Sequence, residues 1–390
     1  MQDNHFDVVV VGGGMVGAAL ACSLVLQRFR VAVVQRAEPA PFDASSDLDV
    51  RISAIGSGSV GLLKQLEVWP RVEAMRCAPY RKLETWEWQT AHVSFDAASL
   101  GLPELGFMVE NSVLQRALWE RIEQLDIELR CPAMLAHLQK ENGGWRLDLC
   151  DGEALHTRLV IGADGANSQV RQMAGIGISG WSYAQSCLLI GVTCGDPAGD
   201  ATWQQFTPHG PRAFLPLCGN HASLAWYDAP ARIRQLQVMP LPQLEKEIAA
   251  TFPARLGRFS AHAAGGFPLV RRHAQRYVLP GLALIGDAAH TINPLAGQGV
   301  NLGYRDVDAL VDVLVEARSN VQEWASESVL RCYQSQRRRE NLLMQSGMDL
   351  FCFTFSNRRP PLKFARNLGL MAAERSGVLK RKVLRYALGL

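Results

Sequence analysis

Apolar and polar positions change rhythm several times along the 390-residue chain, and each change predicts a different element. Asp7–Val11 (DVVVV) is a β-branched run that predicts a buried parallel strand. The apolar stretch AALACSLVLQRF predicts a helix, and Arg30–Val34 a second strand, which closes a βαβ unit of roughly 30 residues. Ser57–Leu66 has helical spacing, whereas Leu83–Val93 alternates, with Trp86 and Trp88 between polar residues, and reads as sheet. Asn111–Leu125 returns to an amphipathic helix. Turn signals at Asn142-Gly143-Gly144 and Asp151-Gly152 predict two hairpins leading into a buried strand, Arg158–Ile161. From Cys187 to Asp228 successive extended segments predict an antiparallel sheet, followed by a helix over Pro240–Phe252 and an extended Gly265–Leu269. Last, the apolar Leu282–Ile285 precedes a Gly/Pro-bent loop and a helix starting at or just after Gly299, marked by Val300, Val307, Leu310, Val311, Leu314 and Val315.

Three strand ends in this pattern run into glycine-rich turns before a helix start. The first, Gly12-Gly13-Gly14-Met15-Val16-Gly17, is a G-x-G-x-x-G in the strand–turn–helix–strand setting that binds a dinucleotide. There Gly12 permits the turn, Gly14 lets backbone approach a pyrophosphate, and Gly17 allows close helix–strand packing. The acid expected at the end of the second strand is absent. Gln35, followed by Arg36, is able to bond a ribose hydroxyl without charge, and a neutral or basic strand end also suits a 2′-phosphate, so NADP is a rival to FAD in this pocket. The second turn is Gly162–Arg171 (GADGANSQVR), and the third Gly286–Gly303 (GDAAHTINPLAGQGVNLG). A helix N-terminus reached through glycines suits an anion. Asp287, a carboxylate in that place, fits better as an acceptor for sugar or ribityl hydroxyls. These turns predict an α/β, Rossmann-like domain from residues 1–75, 105–180 and 265–345. An inserted lobe of 76–104 and 181–264 and a helical tail of 346–390 complete the expected architecture.

Composition narrows the class. A hydrophobic fraction of 48% and a net charge of +3 describe a globular chain with ample core and no argument for nucleic acid. The nine cysteines form no C-x-x-C or zinc-spaced cluster, which predicts reduced core thiols, a cytoplasmic setting and no metal site. Val8 to Leu26 is uncharged, but Gly12, Gly13, Gly14 and Gly17 break it where a spanning helix is continuous, and the leader lacks a basic region. The tail from Asn357 carries Arg358, Arg359, Lys363, Arg366, Arg375, Lys380, Arg381, Lys382 and Arg385 against one acid, Glu374. Its apolar residues Phe364, Leu368, Met371, Ala372, Leu379, Val383, Tyr386 and Leu390 fall near helical spacing. That is a basic amphipathic helix or helix pair, either packed on the body or turned to a membrane or partner.

Together the three turns resemble the fingerprints of the aromatic flavoprotein monooxygenases, the fold of para-hydroxybenzoate hydroxylase. Within that group the chain is similar, nearly end to end, to the ubiquinone-biosynthesis hydroxylases through DVRISAI, RKLETWEWQTAHVSFDAA, GADGANSQVRQMAG, TWQQFTPHGPRAFLPL, WYDAPARIRQLQ and NPLAGQGVNLGYRDVDAL. The resemblance implies an FAD enzyme that uses NADH or NADPH as a transient reductant and O2, through a flavin C4a-hydroperoxide, to hydroxylate a prenylated quinol such as demethoxyubiquinol. It places Gly12, Gly14 and Gly17 at the FAD pyrophosphate, Arg51 against the cofactor, and Asp164 and Gly165 in a motif serving both FAD and the nicotinamide. It further places Asp287 at the ribityl or pyrophosphate region, and Pro294, Gly297, Gln298 and Gly299 along the isoalloxazine, where Pro294 positions flavin and substrate. Gln35 departs from the family's Glu.

His290 is the tempting base. No second dinucleotide-binding unit is apparent, which fits a nicotinamide that visits and leaves, and no G-x-S-x-G argues for hydrolysis. A bilayer-resident substrate gives the basic tail two uses, contact with an anionic surface of the inner membrane or docking into a biosynthetic protein assembly. The rival readings are a hydroxylase of an earlier prenylphenol, a reductase or dehydrogenase without oxygen insertion, and a non-catalytic flavin-binding scaffold.

Overall fold

A computed structural model describes residues 4–293, 297, 299–356 and 359–389. Pro294, Gln298, Arg358 and Leu390 lie outside the described residues. The uncharged stretch after Asp7 resolves into strand His5–Val11 and helix Met15–Leu26, both buried over most of their length. Strand His5–Val11 pairs in parallel with Val31–Val34 on one side and Ala154–Gly162 on the other. Ile127–Arg130 and Leu282–Leu284 extend the parallel order outward, so this sheet brings the C-terminal ends of strands His5–Val11, Ala154–Gly162 and Leu282–Leu284 together. Their continuous apolar runs are what burial on both faces requires. A glycine-rich turn follows each of those three strand ends, and the sheet topology alone makes the three turns neighbours.

The second large sheet forms the lobe. Its order is His290–Thr291, Phe259–Ala274, Ile178–Cys194, His221–Asp228, Arg212–Pro216, Ala201–Gln205, Lys82–Trp86, His92–Asp96. Strict alternation sorts its side chains. Leu188, Ile190, Leu224, Trp226 and Phe214 point to one face and pack with Ile233, Leu236, Leu244 and Ile248 from helices Pro230–Gln237 and Leu241–Thr251. The opposite face looks toward the parallel sheet. A small third sheet, Ile52–Gly56, Gly106–Glu110 and Ala78–Tyr80, bridges the two units.

Several boundaries differ from expectation. The lobe limits at 180/181 and 264/265 fall inside two long strands, Ile178–Cys194 and Phe259–Ala274, whose ladder makes domain and lobe one continuous body. Leu83–Val93 is two strands of a hairpin, Lys82–Trp86 and His92–Asp96. Residue 346 lies within the 29-residue helix Glu327–Phe355, so the tail begins as the end of a helix belonging to the cofactor domain. Beyond it come Pro360–Arg375 and Val378–Leu388. Among the described residues no helix is long and apolar enough to cross a membrane, and no His/Cys/Asp/Glu group has metal-binding geometry.

Candidate active site and cofactor cleft

A cavity of about 790 Å³ joins all three glycine turns to the inward face of the lobe sheet. Gly14 lines it from the first turn, Gly165 from the second, and Asp287, Gly297 and Gly299 from the third, with Arg51 beside them. The glycines of the first turn divide the work. Gly12 has φ +107°, and a Cβ there would lie 2.5 Å from the Ala163 carbonyl oxygen; at Gly17 it would lie 1.9 Å from the Gly12 oxygen. These two stand behind the cavity and shape the turn. Gly14 is different, because a Cβ on it would meet no atom within 4 Å.

Gln35 is turned to the chain itself. Its side-chain oxygen accepts the Gly13 N–H at 2.7 Å and its amide nitrogen donates to the Ala37 carbonyl at 3.2 Å. Trp119 Nε1 donates to the Gly13 carbonyl at 2.8 Å, so the middle glycine is clamped from both sides. Gln35 does not line the cavity, and the departure from an acid here serves the turn.

In the second turn Asp164 Oδ2 accepts the Gln169 and Val170 N–H groups at 2.6 and 3.1 Å, capping helix Gln169–Met173. Its Oδ1 is buried with no partner among the described residues. Arg171, buried beside it, donates to the Ala288 carbonyl at 2.8 Å and the Ala166 carbonyl at 2.9 Å, which ties the second turn to the third.

Asp287 projects from the short 3₁₀ turn Gly286–Ala288 into the cavity. Its side chain is exposed to that space yet walled by protein, and the enclosure raises its pKa while His290 and Arg272 pull it back down. His290, expected as a candidate base, is only 2% exposed and does not line the cavity. Its Nε2 meets Asp306 Oδ2 at 2.5 Å, and that oxygen also accepts the Gly286 N–H at 3.0 Å. Asp306 Oδ1 accepts from Arg337 Nε at 2.8 Å and Asn341 Nδ2 at 3.3 Å. Burial works to raise the Asp306 pKa, but the charges and hydrogen bonds of His290 and Arg337 outweigh it and hold the carboxyl at about 2. The geometry therefore makes His290 a brace for the turn that carries Asp287, and removes it from reach of a ligand in the cavity.

Helix Gly299–Ser319 opens at the cavity. Asn301 anchors it: the side-chain oxygen accepts from Gly56 N at 2.9 Å and Ser59 Oγ at 2.7 Å, and the amide nitrogen donates to the Ala54 carbonyl at 2.7 Å. Gly297, at φ +65°, packs against Ala54, where a Cβ would sit 2.9 Å from the backbone nitrogen. Arg51 is held by its backbone, whose N–H donates to Asp49 Oδ1 at 3.0 Å and whose carbonyl accepts from Asn111 at 3.0 Å. Its guanidinium has no ion-pair partner among the described residues. Sequence reasoning missed Asn301, Asp306 and Arg171. Asn301, Asp306 and Arg171 each stand next to an apolar position of their helix, and nothing local marks them as buried until their distant partners are in place.

A family model described as an FAD binding domain matches residues 5–344. The chain is 64% identical over its full length, and the full length of the relative, to 3-demethoxyubiquinol 3-hydroxylase of Escherichia coli (strain K12). The chain belongs to the FAD-dependent hydroxylases. It is also 36% identical to ubiquinone hydroxylase UbiL of Rhodospirillum rubrum, covering 99% of this chain and 90% of that one. The crystal structure of p-nitrophenol 4-monooxygenase PnpA from Pseudomonas putida matches the fold with a TM-score of 0.79 at 18% identity, covering 98% of both chains.

The residues of this FAD-dependent hydroxylase fit its cofactor on geometric grounds. Open space over Gly14 and Gly299 admits a group against bare backbone. The unpaired Arg51 cation and the helix N-terminus favour an anion, and the Asp287 carboxyl accepts hydroxyl donors. Phosphates and a polyhydroxy chain are the complement of that set.

Proposed function

We propose that this chain hydroxylates the ring of a polyprenylated demethoxyubiquinol, using NAD(P)H and O2. The observation that carries the reading is a cavity lined on one side by the three glycine turns and on the other by the lobe sheet, together with full-length 64% identity to a hydroxylase of that name. When bound, FAD would supply the redox chemistry: one oxygen atom of O2 enters the ring as a hydroxyl, and the two electrons from NAD(P)H, with two protons, reduce the other atom to water.

The protein's share is placement and exclusion. Gly14, Arg51 and Asp287 would hold the cofactor's phosphates and hydroxyls, and Gly297 and Gly299 would lie along its ring system. The positive end of helix Gly299–Ser319 favours negative charge next to the bare backbone of that turn. Asp164 orders the second turn through its helix cap. Leu189, Leu215 and Phe267 cover the opposite side with hydrocarbon, which keeps water from the reacting ring. In cells lacking the gene, mass spectrometry of the quinone pool will show a quinone short of one methoxy group. Accumulation of an earlier prenylphenol instead would transfer the chain to another step, and an unchanged pool would remove the assignment.

The tail supports a finer reading, contact with an anionic lipid surface. Helix Pro360–Arg375 turns Arg366, Asn367 and Leu370 inward. Arg366 and Asn367 are buried on Glu87, with Arg366 Nε at 2.7 Å and Asn367 Nδ2 at 2.6 Å from its carboxylate, and Asn367 Oδ1 accepts from Trp88 N at 3.2 Å. Leu350, Phe353, Leu362, Phe364 and Leu368 are left exposed, near Lys363 and Arg375. Apolar side chains interleaved with cations suit the headgroup boundary of an anionic bilayer. Phe353→Ser with Phe364→Ser will reduce co-sedimentation with phosphatidylglycerol-containing vesicles and leave turnover of a short-chain quinol unchanged. Undiminished co-sedimentation would defeat the lipid reading.

A further inference from the structure

The lobe wall of the cavity has a structure of its own that bears on which ring carbon is presented. Cross-strand register places Leu189, Ala225, Ala213 and Gln204 side by side in one row across four strands. Alternation turns all four toward the cavity, and all four line it. The two central positions are alanines, only 8% and 6% exposed, on a face whose neighbours are larger: Leu215 and Tyr227 flank them along the strands. Two adjacent small side chains among large ones make a shallow hollow in an otherwise filled surface.

The chemistry at the two ends of this hollow differs. Leu189 closes one end with hydrocarbon. Gln204 closes the other, and its side-chain amide has no hydrogen-bond partner among the described residues. The remaining polar groups of that wall are occupied or recessed. The Thr202 hydroxyl donates to the Phe214 carbonyl at 2.8 Å, and burial raises the Tyr227 pKa well above its ordinary value, so that ring stays neutral. An amide has an acceptor and two donors. It receives a hydrogen bond from a neutral ring hydroxyl, and donates one to the same oxygen once ionised. A carboxylate in that place would repel the ionised form.

We infer that the Ala213–Ala225 hollow seats the substituted aromatic ring, and that Gln204 grips one ring oxygen to fix which carbon faces the cofactor. The inference rests on the quinol-hydroxylase reading and names the residues of its specificity. Substituents on the ring fill the space above the alanines, so adding carbon there removes the seat without touching the cofactor turns.

The test titrates FAD-loaded enzyme with a short-chain demethoxyubiquinol analogue and follows the flavin absorbance change on binding. FAD content and melting temperature are measured for every variant, and product and peroxide are measured per NAD(P)H consumed. Ala213→Leu and Ala225→Leu will weaken analogue binding at least roughly tenfold and divert NAD(P)H consumption to peroxide, with FAD content unchanged. Gln204→Leu will weaken binding roughly fivefold, and Gln204→Glu will weaken it further as pH rises toward ionisation of the ring hydroxyl. If the parent enzyme binds and hydroxylates the analogue while the leucine variants, still FAD-loaded, bind it within twofold, the seat is overturned and the quinol reading stands. If the parent neither binds nor hydroxylates the analogue, the quinol reading fails and this inference with it.

Discussion

The two walls of the cavity are built on opposite principles. On the cofactor side the working surface is backbone: glycine turns, a helix N-terminus, and a few polar groups held from behind by the Asp306 and Asn301 networks. On the lobe side the surface is side chains projecting from one face of a sheet whose other face is sealed by helices. In the backbone wall the turn-shaping glycines, Gly12 and Gly17, leave no room for a Cβ, and cavity-facing Gly14 keeps open the space a ligand would fill, whereas a sheet face is replaceable residue by residue. One wall is thus suited to a cofactor shared by a whole family, and the other to a substrate that varies within it.

The sharpest contrast lies within the first turn. Gly17→Ala places a Cβ 1.9 Å from the Gly12 carbonyl oxygen, so the turn must open; flavin absorbance in purified protein is expected to vanish and folded yield to fall. Gly14→Ala meets open space, and there the chain is expected to fold with an unchanged apo melting temperature while FAD affinity drops. Equal damage from both would dissolve the distinction between turn-shaping and cofactor-facing glycines.

Behind the same wall, Asp306→Asn removes the carboxylate shared by the buried His290 and Arg337, leaving Arg337 only the half-exposed Glu340, and costs about 3 kcal/mol, read from urea unfolding. Asp306 has a folded pKa of about 2, below its ordinary 3.8. Its contribution is therefore complete above the ordinary value and is lost as pH falls through that window toward 2. The parent will show this acid slope and the variant will lack it.

A neighbouring buried group titrates higher. His273, 5% exposed and bonded to Gln345 Oε1 at 2.9 Å, is held neutral by burial, which lowers its pKa from 6.5 to about 4. Arg271, Arg338 and His290 nearby lower it further, and Gln345 opposes them. The unfolded chain takes up the proton first, so stability is full above pH 6.5 and falls toward pH 4, by at most about 3 kcal/mol. His273→Asn will flatten that part of the stability profile.

Two adjacent leucines calibrate the lobe wall. Leu188 is fully buried against the sealing helices, and Leu188→Ala is expected to cost about 2–5 kcal/mol. Leu189 faces the cavity, where truncation leaves no closed void, and Leu189→Ala is expected to cost about 1 kcal/mol or less while raising KM for the quinol. Similar losses at both positions would mean that the cavity face is packed shut.

The parts legible in the sequence are those written in local chemistry. The βαβ unit, the three turns and the helix at Gly299 follow from periodicity and glycine placement, and the structure puts them where that reading expects. Strands of the lobe were legible as strands, but which face meets the cofactor depends on a register set between segments far apart in sequence. Asp306 was silent because a buried acid looks like a defect in a helical stripe until His290 and Arg337 are seen around it. In the tail the sequence left both orientations open, and what decides is distant: Glu87, 279 residues away from Arg366, draws Arg366 inward beside the apolar Leu370. Long-range polar pairs override amphipathic pattern, and no local signal announces them.

One measurement bears most directly on the reading that joins the two walls. FAD-loaded enzyme, NADH or NADPH and a short-chain demethoxyubiquinol are incubated under 18O2, and the product is weighed. The account predicts one new hydroxyl carrying a single 18O, with label absent when 18O is supplied only as water. Product formed without O2, or oxygen drawn from water, would contradict it.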